Sequence, residues 1–161
     1  MTENRVPVAG IKDGDELLTV RIGRQEFGID IMSVREIRGW VGSTPLPQSP
    51  DFIKGVVNLR GLVLPIIDLP MRLGLEACGS AGSAVVVVVE VAGQVAGLLV
   101  EAVCDIVEVG AEMLQSVPNV GATASANIVT GLLTVDTKIV SILNLGVVMP
   151  GQRGDAFDAA A

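Results

Sequence analysis

The strongest hydrophobic pattern in the chain runs from Gly55 to Leu69, where two largely β-branched apolar runs flank the break Asn58-Leu59-Arg60-Gly61. Such runs around a short asparagine- and glycine-bearing break predict a buried hairpin with one cation at its tip. Pro65 cannot donate to a ladder, so the returning strand is expected to be an edge or to bulge there. Leu17 to Ile22 and Phe27 to Ile31 predict an earlier hairpin around Gly23-Arg24-Gln25-Glu26, with Phe27, Ile29 and Ile31 alternating against Gly28 and Asp30. From Met32 to Trp40 the pattern stays open, because Val34 shares a face with Ile37 in a helical turn and with Glu36 in a strand. Gly42 to Pro50, with three prolines, is loop; Asp51 to Lys54 suits one turn of helix; Met71 to Gly82 is loose again.

Ala84 to Val103 is apolar enough to mimic a membrane span, with Val85 to Val89 unbroken. A spanning helix needs about 20 predominantly apolar residues, and this one would bury Glu90, Gln94 and Glu101 and contain Gly93 and Gly97. Ala92-Gly93-Gln94 between valine-rich runs predicts a further hairpin instead. Residues 18–37 (LTVRIGRQEFGIDIMSVREI) lie without a gap on 87–106 (VVVEVAGQVAGLLVEAVCDI), which matches Gly28 to Gly97, Val34 to Val103, Ile37 to Ile106 and Glu36 to Asp105. Residues 55–69 lie in the same way on 131–145, which matches Asp68 to Asn144. A unit recurring in the same order at roughly 70 residues predicts two similar small β domains in tandem.

The expected division is a flexible N-terminus (1–14), a first β subdomain (15–76), a second (82–146) and a C-terminal tail (147–161). Terminal segments can cross between the subdomains, and Gly74 to Gly82 is the junction. Each unit is too small for a comfortable core of its own, so the two should pack together, leaving a groove between them as the natural binding site. Their connectors differ. One is proline-rich; the other runs through Gly110-Ala111-Glu112-Met113-Leu114-Gln115 into a small-residue loop, Pro118 to Asn127.

A formal charge of −7 argues against nucleic acid or an anionic membrane surface as partner, since both are held chiefly by lysine and arginine. Cys78 and Cys104 sit in unlike contexts behind an N-terminus with neither a basic nor an apolar leader segment, which predicts a reducing cytoplasm. Without histidine or tyrosine the chain lacks the commonest general base and metal ligand, and no cofactor or metal is expected. Asp13, Asp15 and Glu16 read as a solvated acidic turn rather than a calcium loop. Cys104 reads as core packing with a raised thiol pKa, and the small residues at 79–83, with no lysine after them, as linker.

Glu26-Phe27-Gly28-Ile29-Asp30-Ile31 with Val34-Arg35-Glu36-Ile37, then Pro50 to Gly61 and Pro65-Ile66-Ile67-Asp68-Leu69, resembles the chemotaxis coupling proteins of bacteria, the CheW family. The resemblance spans roughly 15–146, and in the second half it rests on Val95 to Val107 and Thr130 to Leu145. It implies an all-β protein of two tandem, SH3-like, five-stranded β barrels packed together, with short helical turns. It also implies a non-catalytic adaptor joining chemoreceptor cytoplasmic tips to the chemotaxis histidine kinase (CheA) through the kinase's homologous regulatory domain. Such an adaptor is cytoplasmic and meets membrane-associated receptor arrays through its partners. The residues then expected at the receptor are Val34, Glu36, Ile37, Arg60, Leu98 and Val100, with Glu36 and Arg60 in a charge contact. Those expected at the kinase are Gly55, Gly97, Val103 and Ile106. From the residues alone, a stand-alone small-ligand or peptide-binding β protein outside receptor arrays stays open, and Arg60 alone reads as a solvated turn.

Overall fold

The computed structural model describes residues 11–76, 84–117 and 128–149. The strands are β1 (Glu16–Ile22), β2 (Gln25–Asp30), β3 (Val34–Gly39), β4 (Ile53–Leu59), β5 (Leu62–Asp68), β6 (Val85–Val91), β7 (Gln94–Val100), β8 (Ala102–Glu108), β9 (Leu114–Gln115), β10 (Val129–Val135) and β11 (Lys138–Leu143). Two single-turn helices, α1 (Leu69–Arg72) and α2 (Leu145–Val148), follow β5 and β11. Their N-caps are the matched pair Asp68 and Asn144, whose side chains accept from the backbone N–H of Met71 and Gly146.

The strands form a six-stranded sheet, β8-β1-β2-β11-β10-β9, and a five-stranded sheet, β3-β6-β7-β5-β4. Under the repeat, the first five strands of one order become the other, so the duplication read in the sequence is present in three dimensions. Its pairing is exchanged, however. The β1–β2 hairpin sits with strands of the second half, and β6–β7 with strands of the first. The sheets therefore do not follow 15–76 and 82–146: the leading segment of each half, a whole hairpin, crosses to strands of the other. Two matched parallel contacts lock the exchange, Ile142 beside Gly28 and Ile66 beside Gly97.

The exchange also explains the valine run. Val86 and Val88 face a core inside the five-stranded sheet with Trp40, Leu64, Ile66 and Leu99. Val87 and Val89 face a second core shared with the other sheet, with Leu18, Val20, Phe27, Ile29, Ala96, Leu98 and Val100. A strand covered on both faces reads as a continuous apolar run. The six-stranded sheet encloses a third core around Leu17, Leu133, Val140 and Ile142. Among the described residues no helix is long and apolar enough to cross a membrane.

Several local expectations change. Met32–Trp40 resolves into a 3-10 turn (Ile31–Ser33) and β3. Asp51 and Phe52 form a turn, and β4 already begins at Ile53, so no helix precedes the central hairpin. Pro65 is in a strand that is central in the sheet order, but β5 meets β7 only at Ile66 to Asp68, so at Pro65 its paired neighbour is β4 alone. Residues at both ends are packed: Ile11 is buried, Gly14 donates to the Val109 carbonyl at 2.8 Å, and Val148 and Met149 are in the shared core. Arg72 stacks on Phe52 and donates to the carbonyl of Val147 at 2.6 Å, tying α1 to the end of α2. Residues 1–10, Cys78, the 79–83 linker, the loop at 118–127 and the tail from 150 lie outside the described residues.

Candidate functional site

The tip of the β4–β5 hairpin is a two-residue turn in which Arg60 (φ 53°) and Gly61 (φ 88°) are both left-handed, the geometry of a type I′ turn. The Asn58 side chain accepts from the Gly61 N–H at 2.8 Å and fixes the entry to it. Left-handed backbone costs a non-glycine residue about 1 kcal/mol, so Arg60 is held there at some expense. Its guanidinium reaches back across the open side of the sheet and pairs with Glu36 of β3. Arg38 donates to the other Glu36 oxygen at 3.3 Å. The hydrogen bond from Arg60 is the largest influence on Glu36, ahead of an opposing desolvation, and the carboxyl is held below its usual range.

A bulge sets the directions of β3. Val34 lies opposite Val89 and Glu36 opposite Val88, leaving Arg35 as the extra, exposed residue, paired to Glu90. Val34 is half-buried and packs on the shared core. Ile37 lies opposite Val87 and is 47% exposed at the margin of that core. β3 thus presents Val34 and Ile37 on the side facing the other sheet, and Glu36 and Arg38 on the side of its own barrel. Val34, Glu36 and Ile37 lie along one edge strand, Val34 and Ile37 on one side of it and Glu36, with Arg60 paired to it, on the other.

Leu98 and Val100 do not join them. Both are fully buried in the shared core, so they offer a partner no side-chain surface. The local pattern of β7 hides this, since a strand with both faces covered shows no alternation to mark an outward side. Gly55 and Gly97 are buried as well. A Cβ on Gly97 would lie 2.7 Å from both Ile66 Cδ1 and Val86 Cγ1; one on Gly55, at φ 148°, would lie 2.3 Å from the Thr44 carbonyl oxygen. Both are glycines because neighbouring atoms come too close for any other residue, and neither offers side-chain surface of its own.

Val103 and Ile106 repeat Val34 and Ile37 on β8: Val103 lies opposite Val20 and Ile106 opposite Leu18, with Cys104 as the bulge residue. Val103 packs on the shared core, whereas Ile106 is 51% exposed. Thr19 pins this bulge, its hydroxyl accepting from the Asp105 N–H at 3.1 Å. Cys104 is exposed, not core; desolvation of its sulfur, with the charge of Glu26, pushes the thiol up. The acidic turn is also more tied than expected, since Asp13 accepts from the Ala111 N–H at 2.9 Å. Missed by sequence reasoning was Arg38, whose role needs the bulge that turns it toward Glu36. Among the described residues no cluster of three or more His, Cys, Asp or Glu could hold a metal.

A family model, the CheW-like domain, matches residues 16–152. A probable chemotaxis protein CheW of Rhizobium etli is 41% identical over 92% of this chain and 97% of its own length. The chemotaxis protein CheW of Klebsiella aerogenes is 32% identical over 96% and 93%. The crystal structure of the scaffolding protein TtCheW from Thermoanaerobacter tengcongensis superposes with a TM-score of 0.79 at 30% identity, covering 89% of this chain and 97% of that one. The exchanged two-sheet fold and the sequence agree over nearly the whole length: this chain belongs to the CheW-like family.

Proposed function

We propose that the chain is a non-catalytic adaptor that couples chemoreceptors to the chemotaxis histidine kinase, with the receptor tip docking along β3 and the β4–β5 turn and the kinase's regulatory domain meeting the β8 side. The observation that carries this reading is the Arg60–Glu36 contact from the hairpin tip to β3, which builds a charged rim next to exposed Ile37. Val103 and Ile106, the matched positions on β8, give the second barrel-side surface an equivalent shape without that rim, because Asp105 and Asp136 stand where Glu36 and Arg60 do. Two faces of one shape but different charge suit two different partners. The adaptor acts inside the cell at receptor arrays, held there through its partners.

Arg60→Gly separates function from turn stability. Glycine relieves the left-handed backbone, so the melting temperature should hold or rise. Binding to a purified receptor-tip fragment should still fall about tenfold or more, and Arg60→Glu should bind more weakly again while kinase binding persists. If Arg60→Gly binds the receptor fragment like the unaltered chain, Arg60 is a solvated turn residue and the docking face is elsewhere.

A further inference from the structure

The connectors after β3 and β8 reach equivalent places, since Thr44 bridges Val56 and Gln115 pairs with Leu132, and the repeat matches Val56 to Leu132. Counting back from that register puts Gly42 and Ser43 where the other barrel has Met113 and Leu114. Met113 and Leu114 pack against the core inside the six-stranded sheet, so that barrel plugs its open side from its own chain. Gly42 and Ser43 bring no such bulk. Beside them lies a cavity of about 100 Å³, walled by Trp40, Leu64, Ile66 and Val88, with Val57 and Arg38 at its margin. An apolar cavity of about 150 Å³ accepts benzene, so this one suits an aliphatic side chain.

The rim also differs in charge. Two guanidiniums, Arg38 and Arg60, share the single carboxylate of Glu36, which leaves surplus positive charge in a strongly acidic chain. In the other barrel the matched positions of Glu36 and Arg60 are Asp105 and Asp136. We infer that the open side of the five-stranded barrel receives from a protein partner what the other barrel supplies to itself: an extended segment bearing a bulky aliphatic pair preceded by an acidic residue, of the kind Glu112-Met113-Leu114 presents. The aliphatic side chain fills the cavity and the carboxylate meets Arg38. This slot lies on the Val86 and Val88 face of the sheet, away from Val34 and Ile37, and shares the Glu36–Arg60 rim with the proposed receptor face; peptide binding in the cavity is read directly and does not require the adaptor reading.

The probe is the peptide acetyl-Ala-Glu-Met-Leu-Gln-amide, titrated into the isotope-labelled full chain. Trp40 is the only tryptophan, so its indole N–H is a single resonance beside the cavity. That resonance and the amides of Arg38 to Gly42 and Val57 to Leu59 should shift saturably, with a dissociation constant on the order of 1 mM or tighter. Acetyl-Ala-Glu-Gly-Ser-Gln-amide should produce no such shift. Replacing the peptide's Glu by Gln should weaken binding about threefold, and that difference should vanish in Arg38→Gln. Val57→Met, which sends a flexible side chain into the cavity, should abolish binding without lowering the melting temperature; Val57→Leu, copying Leu133, should do the same in smaller measure. Absence of saturable shifts with the first peptide, equal binding of the Gly-Ser peptide, or undiminished binding by both Val57 variants would each overturn the inference.

Discussion

At the scale of single residues, the charged rim has a defined pH signature. Arg60 lowers the Glu36 pKa, so the ionised form is favoured in the folded chain. The stabilisation tied to it is present above the unfolded value and is lost as pH falls through the lower folded value. Glu36 is open to solvent, so this governs the shape of the rim far more than global stability. A carbon-detected titration of the Glu36 carboxyl should give a midpoint below that of a free glutamate, rising in Arg60→Gln. An unchanged midpoint in that variant would mean the pair does not persist in solution. The Glu36–Arg60 contact was legible in the sequence only through the family motif, because the residues are in different strands and their meeting depends on the turn. The burial of Leu98 and Val100 is decided by a second sheet that no local pattern announces, and that of Gly55 and Gly97 by close neighbours within their own barrel, Thr44 for one and Ile66 and Val86 for the other.

At the scale of elements, the matched glycines in the parallel contacts give a graded test. A Cβ on Gly28 would meet Leu17 Cδ1 at 3.0 Å and Val140 Cγ1 at 3.3 Å, whereas one on Gly97 meets two side chains at 2.7 Å. Overpacking of this kind costs about 1–3 kcal/mol, and Gly97→Ala should lie towards the upper part of that range and Gly28→Ala below it. Chemical denaturation of both variants checks the order; the reverse order would place the parallel junctions differently. The hairpins around Gly23, Arg60 and Gly93 were readable because each pairs neighbouring runs across a short turn. The Met32–Trp40 stretch was not, because the bulge at Arg35 breaks the alternation that would identify β3.

At the scale of the whole molecule, the repeat was visible in two ungapped self-alignments, but the exchange was not. Both pairings satisfy the same hydrophobic pattern, and the choice between them lies in tertiary contacts: the antiparallel β1–β8 and β3–β6 ladders and the parallel pairings of Gly28 with Ile142 and Gly97 with Ile66. The matched edges β3 and β8 lie in different sheets and give the adaptor two related surfaces. The central claim is that both surfaces are used at once. Sedimentation velocity of the full chain with a receptor-tip fragment and a kinase regulatory-domain fragment, separately and together, tests it most directly. The account predicts two binary complexes and a ternary complex larger than either. Competition between the fragments, each displacing the other from the chain, would contradict it.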